Sequence, residues 1–164
     1  MARLGLILGV LVCAAAGCDG IRSRPGTVTV RIAGEPFTMD VSADDASRIR
    51  GLRGVPEIPP DGGMIFIFPD SQVRSFLMRD CLIDIDVMFL DPQGRVTAVH
   101  TMPVEPPRRA DEAPPEYERR LPLYPSGYPA QFAIELRAGT LDRLGVEVNS
   151  RIPLDLPRLK ALAR

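Results

Sequence analysis

Short β-branched or aromatic runs, each closed by a turn signal, recur along this chain and constrain its fold more than any other feature. "TVTVRI" (27–32) alternates, meets the turn signal "AGEP" and resumes as "FTMDV" (37–41), which predicts a hairpin. "MIFIF" (64–68) predicts a short buried strand closed by Pro69 and Asp70. Residues 73–81 and 83–90 predict two further strands, "DPQG" (91–94) a turn, and "RVTAVHTM" (95–102) its returning strand. "QFAIEL" (131–136) is strand again, and "VEVNSRIPLDL" predicts a last hairpin or an edge strand carrying Pro153. Helices are brief. Ser42 predicts an N-cap, with Asp44 and Asp45 in the first turn and Gly54 as the stop. "AGTLDRLG" (138–145) predicts one or two turns more. Residues 103–129 hold eight prolines and predict a long surface loop. Roughly seven to nine short strands with no alternating βα units predict a mostly β domain, an antiparallel β-sandwich or partly closed barrel with one or two short helices.

The first 17 residues predict a processing signal, with Arg3 ahead of an apolar core from Leu4 to Val12. That core is shorter than the roughly 20 residues of a spanning helix. Ala15-Ala16-Gly17-Cys18 is similar to a bacterial lipobox, although lipoboxes usually begin with Leu. It predicts lipidation of Cys18; the alternative is ordinary A-x-A-type cleavage with an incidental cysteine. Residues 18–26 then form the acylated cysteine and a polar tether, 27–156 a single β domain, and 157–164 a C-terminal tail. The expected location is the cell envelope, on the periplasmic side of the inner or outer membrane, with the membrane as a partner through the lipid.

Removing Arg3 with the signal leaves 19 basic residues against 21 acids. A nearly neutral chain without a basic stripe is not expected to bind nucleic acid. Cys13 leaves with the signal and Cys18 is acylated, so Cys81 stands alone and no internal disulfide forms. Without a neighbour to lower its pKa, Cys81 is expected to be buried and inert.

The turn at 91–94 sets a register in which Phe89 opposes Val96 and Ile85 opposes His100. Cys81, Ile83, Ile85, Val87 and Phe89 then share a core face with Val96, Ala98, His100 and Met102. Leu82, Asp84, Asp86, Met88 and Leu90 share the other, wetter face with Arg95, Thr97, Val99 and Thr101. Cys81 and His100 fall about 13 Å apart, too far for a Cys–His pair. Asp84 and Asp86 lie about 6–7 Å apart on the second face, a spacing that suits two carboxylates on one substrate and equally a solvated strand. One histidine excludes a His-rich zinc site, and no P-loop, dinucleotide fingerprint, HExxH or EF-hand loop is present. No cofactor or metal is expected.

"RGL" (50–52), "GGMIFIFP" (62–69), "FLMRDCLIDIDVMFLD" (76–91) and "AIELRAGTLDRLGV" (133–146) resemble the domain-of-unknown-function 192 family, whose pattern runs RGLMFR, GMLFVFP, FWMKNTLIPLDIIFID and VLELPAG. The resemblance covers about residues 48–152 in order. It implies a small, often exported or membrane-tethered domain with a jelly-roll-like sandwich, and it supplies no reaction. Asp86, Asp91 and Glu135 match the pattern. Leu77 replaces its Trp, and Arg79-Asp80-Cys81 replaces its Lys-Asn-Thr.

Two functions fit these residues. The leading one is a non-catalytic envelope module that binds a small polar ligand, a glycan or a protein under the 103–129 loop, with Arg50, Arg79, Asp80, Asp86, Tyr124 and Glu135 near the pocket. The other is a hydrolase or lyase on a cell-wall or carbohydrate substrate, in which Asp86 and Glu135 or Asp84 act as acid and base and Arg79 holds an anion. A purely structural role is the third.

Overall fold

A computed structural model describes residues 26–164. The signal, Cys18 and the tether up to residue 25 lie outside the described residues. Among those described are eight strands and four short helices: β1 (Thr27–Ile32), β2 (Glu35–Ser42), α1 (Asp45–Arg50), β3 (Gly62–Gln72), β4 (Ser75–Phe76), β5 (Ile85–Leu90), β6 (Val96–Met102), α2 (Pro114–Arg120), β7 (Tyr124–Pro125), β8 (Ala130–Arg137), α3 (Thr140–Arg143) and α4 (Leu156–Lys160).

Six strands make one sheet in the order β1-β2-β3-β8-β5-β6, and β4 pairs with β7 in a separate ribbon. The mostly β class is as expected. The main sheet is mixed, because β2 and β3 run parallel while every other pair is antiparallel. Parallel neighbours need a long crossover, and here it is α1 with residues 51–61. Its edge strands β1 and β6 do not pair, so no barrel closes. The first hairpin turns through Ala33 and Gly34, both at positive φ, as a two-residue loop matching strand twist requires.

Both faces of the sheet are buried at its centre, in β3, β8 and β5, whereas β1 and β2 keep one face exposed. One face packs Val30, Phe37, Ile65, Met88, Phe132 and Ile134 under α3, α4 and the intervening chain through Leu141, Ile152 and Leu159. On the other, Phe66, Phe68, Val87 and Phe89 lie under Leu52, Ile58 and Met78. Packing on both faces explains why β5 is buried at all six positions. The second face of β5 is therefore core and not a wet surface. A close approach limits one position: a Cβ on Gly63 would sit 2.4 Å from the Glu135 carbonyl oxygen. Gly63→Ala is expected to cost about 1–3 kcal/mol by forcing β3 from β8, read as a lower urea midpoint with an unchanged slope.

Several local expectations change. The first helix is capped by Asp44, whose Oδ1 accepts from the Ser47 N–H at 2.9 Å while the Asp44 N–H donates to Ser47 Oγ at 3.2 Å. That capping box outcompetes Ser42, which ends β2 and is buried. The helix stops at Gly51 instead of Gly54. β3 runs on through Pro69, but four residues are extruded between the pairs Ile67–Phe132 and Gln72–Ala130, as a missing proline N–H favours. Residues 77–84 are not strand. The 103–129 segment holds α2, started by Pro114 and Pro115 and anchored by buried Tyr117 and the Arg120–Glu112 ion pair at 2.8 Å. Residues 146–156 form a single bridge, Arg95 to Arg151, rather than a hairpin. The last residues are no free tail: Leu159 is buried, and the Arg164 N–H donates to the Ala43 carbonyl at 2.9 Å.

Candidate functional site

The extruded residues of β3, the end of α1 and residues 74–81 enclose a cleft of about 470 Å³ over the second face of the sheet. Leu52, Phe66 and Phe76 give it apolar walls, and Glu135 lies at its floor. Strand parity puts Glu135 there. It pairs with Met64 on one side and Val87 on the other, so its side chain shares their face. Expected to face solvent if it had no role, Glu135 is only 6 % exposed because residues 50–58 and 76–81 roof this face. Its Oε2 has no hydrogen-bond partner, and burial pushes its pKa up from 4.5 to about 8. The carboxyl is therefore mostly protonated at neutral pH.

Arg79 lines the same cleft. One end of its guanidinium pairs with Glu118 of α2, while its buried Nε has no partner. Arg48 is committed to structure, donating to the Ile67 carbonyl at 2.8 Å and to Asp45 at 2.7 Å. Arg74 is likewise held by Asp70 and the Ala130 carbonyl and lies 3.6 Å over the Phe68 ring. Arg50 and Arg53 also line the cleft, and their side chains make no hydrogen bond or ion pair among the described residues.

Cys81 lines the cleft half-buried, not fully buried as expected. Burial first, then the nearby Glu135 and Asp80 carboxyls, push its pKa up to about 11. It is a thiol at neutral pH, and the absence of any group that lowers its pKa agrees with the expectation.

Of the six residues expected around a pocket, the structure brings together Arg50, Arg79 and Glu135. Asp80 is exposed beside the cleft, at φ +56°. Its N–H donates to the Tyr117 hydroxyl at 3.2 Å and its carbonyl accepts from the Gly54 N–H at 3.0 Å. A short polar side chain such as Asp tolerates that backbone region. Tyr124 pairs with Phe76 in the β4–β7 ribbon and is not a cleft residue. Asp86 lies on the opposite face, 1 % exposed, accepting from Thr101 Oγ1 at 2.8 Å and from the Leu141 N–H at 2.9 Å. Asp84 accepts from the Val104 N–H at 2.8 Å and lies outside the cleft. Asp84, Asp86 and Glu135 therefore do not meet as an acid–base pair. His100, expected in the core, is half-buried, with Nε2 2.7 Å from the Pro125 carbonyl. The 103–129 segment braces the rim through Glu118 and Tyr117 without lining the cleft.

Residues 28–154 match the family model DUF192, described as "Uncharacterized ACR". The chain belongs to this family. Two solved structures share the DUF192 chain's fold. One is a Sinorhizobium meliloti protein provisionally described as a transcription regulator, 25 % identical, with a TM-score of 0.61 over 77 % of this chain and 91 % of that one. The other is a protein of unknown function from Novosphingobium aromaticivorans, 22 % identical, with a TM-score of 0.60 over 89 % and 99 %. No curated protein matches the sequence.

Sequence reasoning missed Arg53, Arg74, Phe66 and Phe76 in the DUF192 cleft. "RIRGLR" (48–53) carried the signal for Arg53, because a short helix ending at Gly51 turns the chain back over the sheet. Phe66 was legible as a strand residue of the same parity as Met64, and Phe76 had no such signal.

Proposed function

We propose that the domain is a non-catalytic binding module that holds a small polar ligand in the cleft above Glu135. The reading is carried by a buried carboxyl with a free oxygen at the floor of an open cleft, which Arg79, with an equally free Nε, also lines. An unpartnered buried polar group costs about 1–3 kcal/mol, and a ligand that completes its bonding recovers that. Catalysis is less favoured. A carboxylate-dependent hydrolase needs a second free acid beside Glu135; Asp86 lies on the other face with both oxygens engaged, and the cleft's Asp45 and Asp70 are each paired with an arginine. DNA binding, which the description of the Sinorhizobium protein raises, is not favoured by 19 basic residues against 21 acids after signal removal. In this proposal an acylated Cys18 holds the domain at the cell envelope, and a mass spectrum of the mature N-terminus checks it.

The test of binding is a thermal-shift screen of small polar metabolites against the parent and Glu135→Leu. Hits at a hundred times their Kd add about 2.7 kcal/mol to the parent, and Glu135→Leu loses them. Failure to find any hit, or hits that Glu135→Leu retains unchanged, removes the proposal.

A further inference from the structure

We propose that the ligand is a small organic acid, one carboxylate on an apolar body, seated carboxylate-first against Glu135 so that the two carboxyl groups share one proton. This rests on the binding role above and assigns the ligand's chemistry.

Charge decides the head group. Five arginines line the cleft (48, 50, 53, 74 and 79) against Asp45, Asp70 and the floor carboxyl. Asp45 and Asp70 are each paired with an arginine already. Arg50 and Arg53 remain as free positive charge at the mouth, which draws in an anion and repels an ammonium ion. Among the described residues, Arg79 is the one charged donor lining the cleft that has a buried free site, through Nε. One guanidinium beside an apolar wall suits a singly charged carboxylate better than a phosphate dianion, whose second charge would be desolvated without a partner. The walls decide the rest of the ligand. Leu52, Phe66 and Phe76 line the cleft, and Ile49 at its lip is 64 % exposed. A hydrocarbon body buries that surface, whereas a sugar leaves its hydroxyls facing apolar side chains.

The proton follows from the geometry. Two ionised carboxylates cannot share the floor, so Glu135 donates its proton to one ligand oxygen, and Arg79 Nε–H is the free buried donor in the same cleft for the ligand's charge. No covalent bond changes. When Glu135 is ionised beforehand, binding takes up one proton from solvent. The titratable and charged groups that share the cleft with Glu135 are Arg79 and Cys81 from residues 77–84, with Asp80 beside them, Asp45, Arg48 and Arg50 on α1, Arg53 after it, Asp70 in the extruded turn of β3 and Arg74 after that turn. From the sheet, Met64, Phe66, Val87 and Ala133 do not titrate, and His100 lies one strand beyond Val87.

The test is calorimetry of the full chain in non-ionic detergent with hexanoate, phenylacetate, hexanamide, hexylamine and inorganic phosphate, at pH 6 to 10. The two carboxylates are expected to bind with constant affinity up to about pH 8 and then about tenfold more weakly per pH unit. Hexanamide, hexylamine and phosphate are expected to bind at least tenfold more weakly than hexanoate at pH 6. Glu135→Gln, which keeps a donor but cannot titrate, is expected to bind hexanoate with a flat profile, and Arg50→Ala with Arg53→Ala to weaken it several-fold. Equal binding of hexanamide or hexylamine overturns the organic-acid assignment while leaving a binding module in place. So does a fall with pH that persists in Glu135→Gln, because the proton then belongs to another group. Binding by none of the probes overturns the assignment too, and the wider screen then decides the module's fate separately.

Discussion

Asp86→Ala is expected to cost the fold about 3–5 kcal/mol, enough to unfold a domain of ordinary stability at moderate temperature. Both oxygens of Asp86 are used, one by the Thr101 hydroxyl on β6 and one by the Leu141 N–H at the start of α3. The side chain is 1 % exposed, so no water replaces it. Truncation leaves a buried N–H and a hydroxyl without acceptors and lets α3 lift from the sheet, where Leu141 closes the main core. Asp86→Asn retains one acceptor oxygen but points an amide donor at the other donor, so about half the loss is expected. Urea unfolding measures the cost, and faster amide exchange at Leu141 localises it. A cost under about 1 kcal/mol, or a folded Asp86→Ala that loses ligand binding instead, would return Asp86 to the functional site where the sequence had put it.

The misplacement of Asp86 shows how far pattern alone reaches. The parity of β5 against β6 was legible: Ile85, Val87 and Phe89 share a face with Ala98, His100 and Met102 as expected. The register was not, because two irregularities act in succession. Asp91 pairs with Arg95 instead of leaving Leu90 to do so, its carboxylate accepting from the Gln93 and Arg95 N–H groups. A bulge at Thr97 then adds a second residue. The first shift exchanges faces and the second restores them. Val96, caught between, changes sides and joins Leu90 in the main core. His100 accordingly opposes Val87 and not Ile85.

Hydrophobic alternation was the weaker guide because this sheet has no wet side in its centre. Met88 and Leu90 on the second face of β5 were the available signal that both sides are packed. An acid on the same face, Asp86, then had to be partnered, and its two partners came from β6 and α3. For Glu135 the same signal was present in the apolar neighbours of β8, but its roof comes from residues 50–58 and 76–81, which no local pattern assigns to that face. The site was half legible for this reason. Arg50, Arg79 and Glu135 lie on segments whose order could be read from the chain, whereas their meeting depends on a crossover between parallel strands that alternation does not reveal.

Glu135 also sets the second large effect, a loss of stability with rising pH. Its carboxyl titrates at about 8 in the fold against 4.5 for the free group, with burial as the cause. The folded state thus binds more protons than the unfolded chain between those values, and stability falls as pH rises through the window. Below 4.5 both states are protonated and nothing is lost; above 8 both are ionised and the full penalty is reached. The slope approaches 1.4 kcal/mol per pH unit and the total approaches 5 kcal/mol. Cys81, raised from 9.0 to about 11 by burial first, acts with the same sign in a separate window above pH 9. Glu135→Gln stays neutral throughout and is expected to remove the first window alone, leaving a variant about as stable as the parent at pH 4.5 and several kcal/mol more stable at pH 9. Urea midpoints at unit pH intervals measure both curves. A saturating organic acid should flatten the parent's curve as well, since it holds the proton on Glu135 to higher pH. A parent whose stability is unchanged between pH 5 and 8 would mean that water or a partner group already satisfies this carboxyl, and the cleft would lose the feature that makes it a binding site.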